Sequence, residues 1–169
     1  EAPTIVPGWR VRHVAAHLLD TASRKLSVLR DGLTVERPAS GSADDRAFVN
    51  RLNAEGVQVF GRLSVEVLLS MMAAISAASV AWHRSLDPNA PAGFAVSWAG
   101  EATSPNWFDT ARELTERWHH QAQIRLALDR PPLMDRDVYH PVLDCFMRVL
   151  PHAYRQVDAA VGTLISVRV

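Results

Sequence analysis

Cysteine is almost missing from this chain: Cys145 is the only one in 169 residues. A lone thiol excludes an intramolecular disulfide framework and a Cys-rich zinc site, and it points to a reducing compartment, here read as the cytoplasm. Any bound metal must then be held by histidine and carboxylate. Net charge is missing too, with 18 basic residues against 18 acidic ones and no local run of one sign. No field draws the chain to nucleic acid or to an anionic bilayer, so neither is expected as a partner. The longest apolar stretch, VEVLLSMMAAISAASVAW (65–82), contains Glu66 and three serines, which predicts a buried amphipathic helix in preference to a membrane span. No secretory leader is read ahead of it. A nucleophile elbow, a phosphate-cradling glycine loop and an HExxH pair are all absent. Lysine is nearly absent as well: all the basic residues but Lys25 are Arg, a trait of GC-rich genomes with no chemical meaning of its own.

What is present is an ordinary globular composition, 48% hydrophobic and 21% charged, in a chain long enough for one sizeable core. A helical pattern runs from Trp9 through Val11, Val14, Leu18, Ala22, Leu26 and Leu29 until Asp31-Gly32 stops it. Residues 33–43 read as loop, and 42–64 as a short helix interrupted or loosened near Gly56 and Gly61. Ser64 caps a predicted long helix from about Val65 to Leu86, closed by DPNAPAG. Ser104-Pro105 signals the start of another, with Ser104 as the cap, running to about Leu128 before Arg130-Pro131-Pro132. A last helix is expected from about Val138 to Leu150, with Pro141 near its first turn and Pro151 ending it. No strand signal appears before residue 163, where GTLISVRV begins to alternate. An all-α helical bundle over 1–160 is the economical architecture, with 161–169 as the start of a second, α/β domain. The chain opens at Glu1 without a methionine, and a piece of a longer protein is expected.

The segment ELTERWHHQAQIR (113–125) concentrates the chemistry-bearing residues. Residues four apart on a helix lie one above the other, so Glu116 and His120 present a carboxylate and an imidazole from one face. Trp107, Ala111, Leu114, Trp118 and Ala122 form an apolar stripe on roughly the opposite side. A pair at this spacing is commonly only a solvated helix contact worth about 0.2–0.5 kcal/mol. A catalytic zinc takes three protein ligands and leaves a position open, and His2Glu is one known set. The third ligand would come from His13, His17, His83, His140 or His152, and periodicity prefers His17 over His13 only weakly. Glu113 reads as a surface acid, His119 as a surface or packing histidine, and Trp9 and Trp118 as core. Gln123 stands between an imidazole-orienting partner and polar rim. Cys145, in DCFMRVL, reads as an inert buried thiol.

Three stretches together resemble one family. PGWRVRHVAAHL is similar to the first-ligand segment of the DinB-like, mycothiol-dependent maleylpyruvate isomerase superfamily, and ELTERWHHQAQIRLAL resembles its Glu-x-x-x-His helix. PVLDCFMRVLPHAYRQVDAAVGTLISVRV is similar to its last bundle helix and the entry to a C-terminal α/β domain. The resemblance implies a DinB-like up-down bundle whose first helix would precede Glu1, and metal ligands at His17, Glu116 and His120. The chain departs from the pattern at Gln123, where many relatives carry an acid, and at His119, where the position is usually apolar. The resemblance further implies a divalent ion, zinc foremost, and a low-molecular-weight thiol cofactor, mycothiol, acting on a small electrophile as transferase or isomerase. A homodimer is a partner state to consider. Two other functions stand beside it: a non-catalytic helical module stabilised by the same ion, and metal-assisted hydrolysis, for which a ligating Glu116 would be unavailable as base.

Overall fold

The computed structural model describes residues 1–34 and 42–168. The loop expected over 33–43 lies largely outside the described residues. Helices α1 (Val11–Lys25), α2 (Ser42–Phe60), α3 (Val65–Ser85), α4 (Asn106–Ala127) and α5 (Arg136–Met147) are followed by a single turn, α6 (Leu150–Ala153). No strand occurs among the described residues, and the bundle is all-α as the sequence implies.

α1 is the hub, packing against α2, α3 and α4, while α5 packs on α4. A helix with three neighbours buries most of its circumference, polar positions included. Val14, Ala16, Leu19 and Ala22 of α1 are buried, and so are His17, Asp20 and Lys25. Each of these three polar groups meets an oppositely charged or hydrogen-bonding partner from its own or a neighbouring helix, as burial demands. Lys25 Nζ stands 2.8 Å from Asp109 and 3.0 Å from Glu113 of α4. α1 ends through a π turn at Leu26–Arg30 and a left-handed Gly32 at φ +73°, close to the predicted Asp31-Gly32 stop. A second apolar cluster joins Val96, Phe108 and Cys145 where α4, α5 and the 88–105 connection meet.

Several expectations need correction. α2 runs unbroken through Gly56 and ends at Phe60, because Gly56 serves as a packing point: a Cβ built there would overlap the Asp20 carboxyl of α1. Ser104 does not cap α4. It is buried, its hydroxyl accepts from the Val96 N–H (2.8 Å) and donates to Glu101, and Pro105 takes the cap position. The final helix starts at Arg136 and holds Pro141 in its interior, and Pro151 opens the α6 turn.

α3 matches its predicted bounds, and its capping Ser64 accepts from Val67 N–H at 3.3 Å. It is not the buried helix expected. Only Leu68 and Ser79 are buried, while Val65, Val67, Leu69, Met71 and Val80 are exposed. The cause is its edge position, with one stripe against α1 and the rest outward. By length and composition alone, α3 is also apolar enough to cross a bilayer.

Residues 161–168 form a turn and irregular chain, with no strand among them. A single segment with no partner strand has nothing to complete its ladder.

Candidate metal centre

The centre is assembled from two helices whose sequence positions lie 99 residues apart. On α4, Glu116 and His120 are one turn apart, and their Oε1 and Nε2 atoms approach to 3.1 Å. On α1, His17 is buried and directs its Nε2 to the same Glu116 oxygen at 3.3 Å. These three atoms all lie within 4.8 Å of one another, the gathering of His, Cys, Asp or Glu donors found among the described residues. Zinc bonds of about 2.0–2.1 Å set a tetrahedral edge of roughly 3.3 Å, so both carboxylate–imidazole separations suit two corners of one coordination sphere.

The tautomer of His120 makes the point chemically. Its Nδ1–H donates to Gln123 Oε1 at 2.9 Å. A neutral imidazole protonated there carries a lone pair on Nε2, aimed at the lone pairs of Glu116 Oε1. Two acceptors at that distance require a proton or a cation between them. In the absence of a cation a proton supplies it: burial opposes charge on His120, but hydrogen bonds to Glu116 and Gln123 and the Glu116 charge raise its pKa overall. Hydrogen bonds from His120 and His17 in turn hold the Glu116 carboxyl far below the usual carboxylate range, against the effect of burial. Gln123 is thus the imidazole-orienting partner of the two readings the sequence left open. His17 is held differently. Its Nδ1 is buried without a hydrogen-bond partner among the described residues, and its ring is steadied by Trp9, 5.3 Å away and tilted, and by the His120 ring edge at 4.8 Å.

Trp9 owes its position to the Pro7–Gly8 turn. Its N–H donates to Val6 O (3.0 Å), its carbonyl accepts from Thr4, and Gly8 takes φ +77°. The same segment places His13 and His17 in different surroundings. His13 Nδ1 accepts from the Arg10 N–H at 3.2 Å, closing the N-terminus of α1, and His13 does not join the cluster. His83 bonds to Thr110 (3.0 Å), and burial, then the Lys25 charge, lowers its pKa. His140 and His152 do not join the cluster.

Glu113 is not the surface acid expected: its carboxylate pairs with buried Lys25 and with Arg112 (2.8 Å). His119 is exposed, as its position off the Glu116–His120 line suggests. Trp118 packs in the fold, stacked on Tyr139 at 5.0 Å and donating to Leu133 O. Cys145 is buried, and burial raises its pKa, so no thiolate is offered by the protein.

The three donors open on a cleft of about 610 Å³, walled by Val6, Trp9, Ala54 and Val57 and carrying the amides of Asn50 and Asn53. Trp9 was assigned to the core by sequence, and neither Asn50 nor Asn53 carried a signal, because nothing in the α2 pattern tells which of its faces turns toward α4. A divalent ion at this centre would therefore have three protein ligands and an accessible face.

The family model described as mycothiol maleylpyruvate isomerase N-terminal domain matches residues 1–125, a span that includes all three donors. No curated protein and no solved structure matches the chain.

Proposed function

This chain belongs to the mycothiol maleylpyruvate isomerase N-terminal domain family, and from that premise we propose that His17, Glu116 and His120 bind a divalent ion, zinc foremost, at which a low-molecular-weight thiol is activated. The reaction class is transfer of that thiol, mycothiol by family, to a small electrophile, or cis–trans isomerisation through a reversible thiol adduct. The observation that carries the reading is the convergence of two Nε2 atoms and one Oε1 on a single point beside an open cleft.

A divalent ion there lowers the pKa of a bound thiol so that thiolate is present at neutral pH. The protein's part is preparation. Gln123 keeps the His120 proton on Nδ1 and frees Nε2 to bind. Glu116 stays ionised and neutralises part of the ion's charge. Trp9, Val6 and Val57 shield one side of the cleft from water, which strengthens charge interactions inside it. No further protein nucleophile is needed, which fits the buried, protonated state of Cys145. We place the protein in the cytoplasm.

Elemental mass spectrometry of the purified protein, beside H17A and H120A, tests the centre. Near-stoichiometric metal lost in both variants supports it. Protein that stays metal-free after incubation with zinc returns ELTERWHHQAQIR to an ordinary helix face. In the cobalt-loaded protein, a sulfur-to-metal charge-transfer band on adding mycothiol supports thiol activation. A metal site that gives no such band is a structural ion in a helical module.

A further inference from the structure

Asn53 has one of its two polar ends already taken. The Asp20 carboxylate, buried where Gly56 lets α2 lie on α1, accepts from Arg24 Nε at 2.8 Å. The Arg24 Nη2 then donates to Asn53 Oδ1 at 2.8 Å. A guanidinium only donates, so the amide oxygen has to be the atom facing Arg24, and the orientation of the Asn53 amide is settled by chemistry. That leaves its Nδ2, with two N–H donors, and no hydrogen bond engages Nδ2 among the described residues. The same side chain lines the cleft into which His17, Glu116 and His120 open. Withdrawal of electron density from Oδ1 by the cation also makes the N–H groups better donors.

We infer that Asn53 is a specificity-determining residue: the Asp20–Arg24–Asn53 relay presents a fixed N–H donor to an acceptor oxygen on the molecule bound at the His17–Glu116–His120 centre. Among the described residues the cleft lining contains no lysine or arginine. The matching ligand feature is a hydrogen-bond acceptor oxygen, such as an amide carbonyl, set beyond the sulfur of the bound thiol. The inference rests on the thiol-binding reading above and adds to it which part of the ligand this chain selects.

The test uses the cobalt-loaded full chain and two thiols of similar length, N-acetylcysteamine, which has an amide oxygen beyond its sulfur, and 1-butanethiol, which has none. Dissociation constants come from the sulfur charge-transfer band. In N53L the affinity for N-acetylcysteamine should fall about three- to tenfold, the worth of one hydrogen bond, with 1-butanethiol unchanged. R24M, which releases the amide while leaving Asn53 in place, should lose part of the same selectivity. Equal losses for both thiols, or no loss for either, would overturn the inference. Metal content and far-ultraviolet circular dichroism of each variant identify one that has merely misfolded. If neither thiol gives the band in the wild type, the thiol reading fails separately. Asn53 is then judged by titrating N-methylacetamide against its side-chain NH2 resonances, assigned by their loss in N53L; shifts support the donor role and their absence ends it.

Discussion

Replacing Gly56 by alanine sets two opposite rules against each other. Helix propensity alone says that alanine should stabilise α2 by about 0.8–1.0 kcal/mol, since Gly56 sits in the interior of the helix. The structure says otherwise, because the new Cβ would overlap the Asp20 carboxyl. That carboxyl is not the free end of a long side chain: it is short, buried and tied to Arg24. Overpacking at such a contact costs about 1–3 kcal/mol, and displacing Asp20 also strains a charge-assisted hydrogen bond worth about 1.5–3 kcal/mol. Subtracting the propensity gain leaves G56A destabilised by about 1–3 kcal/mol, which in a chain of this size lowers Tm by roughly 3–10 °C. Thermal unfolding followed by circular dichroism gives the number. The cause is isolated by repeating the substitution in a D20A background, where the clash is gone and G56A should become neutral or stabilising. Additive effects in that cycle, or a G56A protein that melts above the wild type, would refute the α1–α2 contact and with it the relay to Asn53.

Lys25→Met should destabilise the protein by about 3 kcal/mol at neutral pH, because Asp109 and Glu113 lose their buried cation and keep only Arg112 between them. Burial opposes the charge on Asp109, but Lys25 and Arg112 lower its pKa overall. That group therefore adds stability above its unfolded pKa of about 3.9, lost as pH falls through the lower folded value. Denaturant midpoints measured from pH 7 down to pH 3 should show the gap between K25M and wild type narrowing with acid. A Gln123→Leu protein should still bind metal but about 10–100-fold more weakly, since His120 loses the acceptor that fixes its tautomer; competition with a chelator measures it, and unchanged affinity would remove Gln123 from the site. Cys145 should resist a thiol reagent such as 5,5′-dithiobis(2-nitrobenzoate) in the native state and react promptly in denaturant, given its burial and raised pKa. Rapid reaction in native protein would contradict the packing of α5 on α4.

Local rules carried much of this protein. Proline, glycine and capping positions place the helix limits to within a few residues, as at Ser64 and at Asp31-Gly32, because they act on the backbone of their own turn. The Glu116–His120 pairing is equally local, since one turn of helix brings the two side chains to one face whatever surrounds them. Where the sequence misled, a neighbour had the last word. Gly56 looked like a break until α1 crossed it; Glu113 looked solvated until Lys25 turned toward it; α3 looked buried by its composition yet stands at the edge of the bundle. Periodicity separated His17 from His13 only weakly, and here too the neighbours distinguish them. On α1 the two histidines are one turn apart and chemically alike, and what separates them is that His13 closes the helix N-terminus whereas His17 faces α4. Spacing within a helix is dictated by 3.6 residues per turn. Which faces of two distant helices meet is decided by packing the whole core at once, so the pair at 116 and 120 belongs to the sequence, and its union with His17 and the Asn53 cleft belongs to the tertiary structure.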